Sequence, residues 1–149
     1  MLKGHQTWVF ESKPFILASA TVGGPFEAQG AISEDFDVLH ADIWLGQDSF
    51  EKAEKKLLEE AAQKAIDKAG LKKEDIQFFI SGDLMNQITP SSFAARTLAI
   101  PYLGVFGACS SSMEGLSLAS AIVDSKFANK VLTAASSHNA AAAQQFRYP

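Results

Sequence analysis

Chemically versatile residues are scarce in this chain: its 149 positions hold one cysteine and three histidines. A single cysteine excludes an internal disulfide framework and suits a reducing compartment. His5, His40 and His138 share no metal-ligand spacing, so no metal site is expected, and no cofactor either. Basic residues are in deficit, with a net charge of −4, and they are scattered or paired with acids. That leaves no cationic footprint for nucleic acid or for an anionic membrane surface. No apolar run is long enough for a bilayer: the longest uncharged stretch, Thr97 to Met113, is broken by Pro101, Gly104 and Gly107. The opening "MLKGHQTWVFESKPF" lacks the apolar core of a secretory signal. Neither G-x-G-x-x-G nor G-x-x-x-x-G-K-[ST] occurs. Glu34, Asp35, Asp37 and Asp42 lack the regular spacing of a calcium loop and read as a solvated connection.

What is present is an apolar fraction of 47%, enough for one globular domain with a real core. "TWVF" and "FILASATVGG" read as short strands, the second closing on Gly23, Gly24 and Pro25. Residues 49–69 carry apolar side chains at three- and four-residue steps, the mark of a helix packed on one face. Asp48 and Glu51 offer a capping box, Glu51–Lys55 and Glu60–Lys64 pair on the other face, and Gly70 supplies a left-handed stop. "IQFFI" at 76–80 reads as a buried parallel strand. After the loop "SGDLMNQI", Thr89 and Pro90 begin a short helix to about Ala99. "YLGVF", a helix from about Cys109 to Ser125, and the strand "KVLTAAS" follow. Strands alternating with helices through short connections imply right-handed crossovers and a parallel sheet. The last helix, "SSMEGLSLASAIVDS", has almost no charge and therefore calls for cover on every side.

The lone cysteine lies in "GVFGACSSSMEGL", between an apolar strand and this helix. At a helix's first turn, unpaired N–H groups and the dipole favour a thiolate, and the same N–H groups can stabilise an anionic oxygen. A packed, inert cysteine is the alternative. "GACSS" approximates the nucleophile elbow of α/β-hydrolases, but Ser111 stands where a glycine belongs. "SSHNA" puts His138 just beyond a strand's C-terminal end, where ligands of open parallel sheets gather; an exposed loop histidine is the other reading. Cys109, Ser110, Ser111 and His138 are thus the candidate ligand-binding residues.

An A-C-S step opening a small-residue helix after an apolar strand, followed by "KVLTAASS", resembles the first half of the thiolase-like family of thiolases and ketoacyl synthases. "AIDKAGLKKEDIQFFISG" is similar to that family's second helix and strand. The resemblance implies an α/β fold: residues 1–149 as the N-terminal half of a five-layered αβαβα double fold, with a mainly parallel mixed sheet and a buried central helix. "HQTWVF", "ILASATVGGPFEAQG", "ITPSSFAARTL" and "SSHNAAAAQQFRYP" narrow it to a sporulation-protein branch found in spore-forming bacteria.

That branch implies binding of dipicolinic acid and support of its uptake, as the calcium chelate, into the developing spore. It implies membrane proteins of the same sporulation operon as partners, no nucleic acid, and a peripheral location on the cytoplasmic side of the forespore or spore inner membrane. It also implies a homodimer of the full-length protein, formed through "YLGVF". By position, Cys109 matches the family's nucleophile, and Ser110 and Ser111 the helix start beside it. Condensing enzymes carry their catalytic histidine and its partner in the second half, and His138 does not match that histidine. The chain therefore reads as a piece of a longer, non-catalytic binding protein, with no catalytic residue established. An acyltransferase or condensing enzyme using Cys109 as nucleophile is the alternative; it rests on the position of the cysteine, and against it stands the base that a thiolate mechanism requires, which this half does not supply.

Overall fold

The computed structural model describes residues 1–84 and 87–144. Two small ladders open the chain. β1 (Leu2–Lys3) pairs antiparallel with β2 (Thr7–Trp8), and β3 (Val22–Gly23) pairs parallel with β4 (Val38–Leu39). Of the expected strand "FILASATVGG", only its last residues find a partner. Residues 14–20 have no strand partner, and Phe15, Ile16 and Leu17 stand exposed. A strand needs a neighbour to satisfy its backbone, and an apolar sequence pattern cannot supply one.

The main body is built from α1 (Phe50–Lys68), β5 (Phe78–Asp83), α2 (Thr89–Leu98), β6 (Tyr102–Gly104), α3 (Ser111–Asp124), β7 (Val131–Ser136) and the short α4 (Asn139–Gln144). The three longer strands form one parallel sheet in the order β6-β5-β7. Parallel strands put all their C-terminal ends on one edge, here Gly104, Asp83 and Ser136.

Alternation along β5 sorts the layers. Phe79, Ser81 and Asp83 face α1 and α2, and Phe79 is packed in a core with Leu58, Ala62, Ile66, Ala94 and Leu98. Ile80 and Gly82 face α3, where Gly115 sits over the Ile80 carbonyl and Thr133 of β7. β5 begins two residues later than "IQFFI" and runs on through Ser81, Gly82 and Asp83, which the sequence assigns to a loop. Residues 85 and 86 of that loop lie outside the described residues.

Helix ends also depart from expectation. Ser49, not Asp48, caps α1, its Oγ accepting from the Lys52 N–H at 3.3 Å. Asp48 instead pairs with the Lys52 ammonium at 2.7 Å, which holds its carboxyl below the ordinary range. On the outer face Lys55 reaches Glu59 rather than Glu51, and Glu60 takes His40 at 2.5 Å. Gly70 closes α1 at φ 67 as expected. α2 starts at Thr89 itself behind a left-handed Ile88, with Pro90 in its first turn. α3 begins at Ser111, two residues beyond Cys109.

α3 packs on β5 and β7 yet buries only Ser111 and Gly115; Met113 is 63% exposed, and Leu116 and Leu118 are also open. An open groove of about 620 Å³ runs between α1, α3, β7 and residues 12–20. Its lower end is held by Ser12, whose N–H and Oγ both donate to Asp124 at 2.8 Å and keep that carboxyl below its ordinary range. No helix among the described residues is long and apolar enough to cross a membrane.

Candidate functional site

The turn from β6 into α3 is fixed by close backbone packing. The Val105 N–H still bonds the Ser81 carbonyl at 3.1 Å, after which the chain leaves the sheet. A Cβ on Gly82 would overlap the Val105 carbonyl oxygen and lie 3.0 Å from Ser111 Oγ. The glycine thus lets the end of β6 and the start of α3 settle against β5.

At Gly107 a side chain would meet the Glu114 carboxylate and the Ser110 hydroxyl, so any larger residue there would displace these two side chains. Ser110 Oγ donates to the Gly107 carbonyl at 2.7 Å and is hydrogen-bonded to Glu114 Oε1. Ser111, only 1% exposed, turns its Oγ back to accept from the Gly107 N–H at 3.3 Å.

Between these anchors Ala108 is forced to φ 49, a left-handed conformation that costs an L-residue about 1–2 kcal/mol. Residues 108–110 form one 3-10 turn, with Cys109 exposed on it. Cys109, Ser110 and Ser111 therefore do come together, but on a tight strained turn ahead of α3 rather than inside its first turn. Glu114 is the residue that sequence reasoning missed. Its four-residue spacing from Ser110 was the available signal, because that spacing stacks side chains on one helical face.

β7 leaves the same sheet edge on the other side of β5, and His138 follows it. The imidazole is 8% exposed, not an open loop side chain. Its Nε2 meets the Ile43 carbonyl at 2.8 Å, and its Nδ1 accepts from the Ala141 N–H at 3.4 Å. The ring stacks on Phe50, with centroids 5.1 Å apart, and Phe50 stacks on Trp44 at 4.0 Å. Both ring nitrogens are engaged within the chain, and no hydrogen bond among the described residues joins His138 to Cys109.

Beneath this edge lies a buried polar cluster. Asp83, fully buried, accepts from Ser91 Oγ at 3.1 Å and from the Ile88 N–H at 3.3 Å. The Tyr102 hydroxyl donates to the Ser81 carbonyl at 2.9 Å, and burial pushes its pKa upward, aided by the Asp83 charge. Glu54, 1% exposed on α1, accepts from Ser136 Oγ at 2.9 Å. No group of three or more histidine, cysteine or acidic side chains among the described residues is placed to hold a metal ion.

The parallel sheet, with a small-residue helix behind an exposed cysteine turn, matches solved structures of the thiolase-like fold, and that is the class of this chain's fold. The 3-oxoacyl-[acyl-carrier-protein] synthase III of Aquifex aeolicus superposes with a TM-score of 0.54 at 20% identity, over 59% of this chain and 30% of that one. OleA of Xanthomonas campestris gives 0.53 at 15% identity, over 76% of this chain and 40% of the other. Within that class the chain belongs to the stage V sporulation protein AD family, whose model matches residues 4–149.

The stage V sporulation protein AD of Bacillus subtilis is 47% identical over 148 residues, which is 99% of this chain and 44% of that protein. The β-ketoacyl-[acyl-carrier-protein] synthase III of Chlamydia caviae is 43% identical over 81 residues, 48% of this chain and 23% of that one. The chain thus spans less than half the length of these curated relatives.

Proposed function

We propose that the full-length protein binds a small aromatic dicarboxylate, dipicolinic acid or its calcium chelate, without turning it over, in support of its uptake into the developing spore. The observation that carries this reading is the turn around Cys109: an exposed thiol on a preformed bend, in a member of a sporulation family. Ser110, Ser111 and His138 complete the proposed binding edge, the last two by holding its backbone in shape. Calorimetry of the full-length protein with dipicolinate, with and without calcium, tests it. Binding that weakens on Cys109→Trp, which fills the bend, is the expected result. No binding at millimolar ligand in either condition overturns the reading.

A second reading is favoured by one feature, the left-handed Ala108 that lifts Cys109 clear of its surroundings. Here the protein is an acyltransferase or condensing enzyme, and Cys109 accepts an acyl group from a thioester. Mass spectrometry of the Cys109 peptide after exposure to acyl-CoA donors distinguishes the two. An acylated peptide supports the enzyme and an unmodified one the binding protein.

Residues 1–149 act in this reading as the N-terminal half of a double fold. The open face of α3 and the groove beside it supply the support, since an apolar helix face left bare is an association surface. The isolated segment should self-associate in sedimentation experiments, and a monodisperse, cooperatively folding monomer contradicts the half-fold. The free edge of β6, with Leu103 and Phe106 exposed beside it, is the proposed homodimer contact of the full-length protein. Membrane proteins of the same operon are its proposed partners, at the cytoplasmic side of the forespore or spore inner membrane.

A further inference from the structure

We propose that His138 is a proton-operated latch: while Nδ1 is unprotonated it ties the 42–47 turn and the start of α4 to α1, and protonation releases them. The Ile43 carbonyl can only accept, so Nε2 must carry the proton, and the Ala141 N–H can only donate, so Nδ1 must be bare. A second proton has nowhere to go but Nδ1. There it would set N–H against N–H and remove the acceptor from the start of α4.

The ring is 8% exposed and lies flat on Phe50, which contributes a modest cation–π attraction. α1 and α4 both begin beside it, and helix starts are electropositive. The charged groups on the packed elements already have other contacts. On α1, Glu54 accepts from Ser136 and the Lys56 ammonium donates to the Leu45 carbonyl at 3.1 Å. In the turn, Asp42 accepts from the Trp44 and Gly46 N–H groups. On β5, Asp83 accepts from Ser91 and Ile88. β7 brings Ser136, and α4 brings Asn139.

What is released is a strained piece of chain. Leu45 is left-handed at φ 50, a strained conformation for an L-residue, and is buried at 6% exposure; Gly46 follows at φ 69, which glycine adopts freely. Among the described residues, two hydrogen bonds from outside hold this turn down, His138 to Ile43 and Lys56 to Leu45. Trp44, stacked on Phe50 and 41% exposed, rides on it at the sheet edge that also carries Cys109. Acidification therefore loosens one flank of that edge while leaving the α1–α2 core in place.

Amide hydrogen exchange on the full-length protein, at about pH 8 and about pH 5 with intrinsic rates corrected, reads the latch directly. Exchange in 43–47 and at Ala141 should rise at least about fivefold on acidification, with 58–66 unchanged. His138→Phe, which keeps the stack and removes both bonds, should exchange fast at both pH values. Should that variant fail to fold, ring-nitrogen NMR of the wild type serves: the Nε2–H tautomer at high pH, and a cation appearing with the release. Equal protection at both pH values, a pH response that survives in His138→Phe, or the opposite tautomer each overturn the proposal.

Discussion

Gly82→Ala is a one-carbon change whose effect follows from three distances. The new Cβ would overlap the Val105 carbonyl oxygen, sit 3.0 Å from Ser111 Oγ and 3.1 Å from Val105 Cγ2. A hydroxyl can rotate aside, but a carbonyl oxygen moves only with its backbone. The end of β6 must then back away from β5, stretching the Val105 N–H bond to Ser81 and the Gly107 N–H bond to Ser111. With each of the two bonds worth about 1 kcal/mol and the overpacking about 1–3, the variant should lose about 3–5 kcal/mol. Urea unfolding of the full-length protein measures the loss, and the rate of Cys109 with a disulfide reagent should change with it, because the same backbone carries the thiol. Gly115→Ala is the control. Its nearest neighbour would be Thr133 Cβ at 3.4 Å, an ordinary contact, and a helix-interior alanine should stabilise by about 0.5–1 kcal/mol. If Gly82→Ala is neutral, or the two substitutions behave alike, the account of the cysteine turn is wrong.

Phe79→Ala removes the largest fully buried side chain of the core and should cost about 3–5 kcal/mol in the same assay. Ser91→Ala leaves a buried Asp83 oxygen without its hydroxyl donor and should cost about 1–3 kcal/mol, whereas Ser92→Ala, at a half-buried position where the hydroxyl bonds only its own helix's Thr89 carbonyl, should shift the urea midpoint less. The Lys68 hydrogen bond, then the Thr21 N–H, holds the Asp37 carboxyl below its ordinary range. A lowered folded-state value means the clasp contributes above the carboxylate range and fades as pH falls through that lowered value. The urea-midpoint gap between wild type and Lys68→Met should therefore close in acid, and a gap that persists there would refute the assignment.

Much of the layer order was legible because it rests on periodicity. Alternation and three-to-four spacing depend on which face is buried, and a buried face leaves its mark on residue type. The boundaries shifted where a side chain chose between two backbone partners. Asp48 and Ser49 can each cap α1, and Ser49 does so because Asp48 finds the Lys52 ammonium. "FILASATVGG" had the composition of a strand, but pairing is a property of a second segment. At the candidate site, Cys109 and its serines could be found from one contiguous string. Glu114's part depends on how Ala108 bends the chain, and His138's on Ile43, about a hundred positions earlier. The four-residue spacing of Ser110 and Glu114 is a local trace of the first relation, whereas the second leaves none.

The sheet's register has a consequence for how the protein is made. β5 finds β6 about twenty residues downstream but must wait about fifty for β7, although β7 supplies its longer ladder. During synthesis an apolar strand is therefore held on one side only, with its other edge open to any extended chain nearby. α3, with apolar Met113, Leu116 and Leu118 on its open face, emerges in that same interval. Expression at high rate should make this stretch the first to aggregate, and slowing elongation after residue 104 should worsen it.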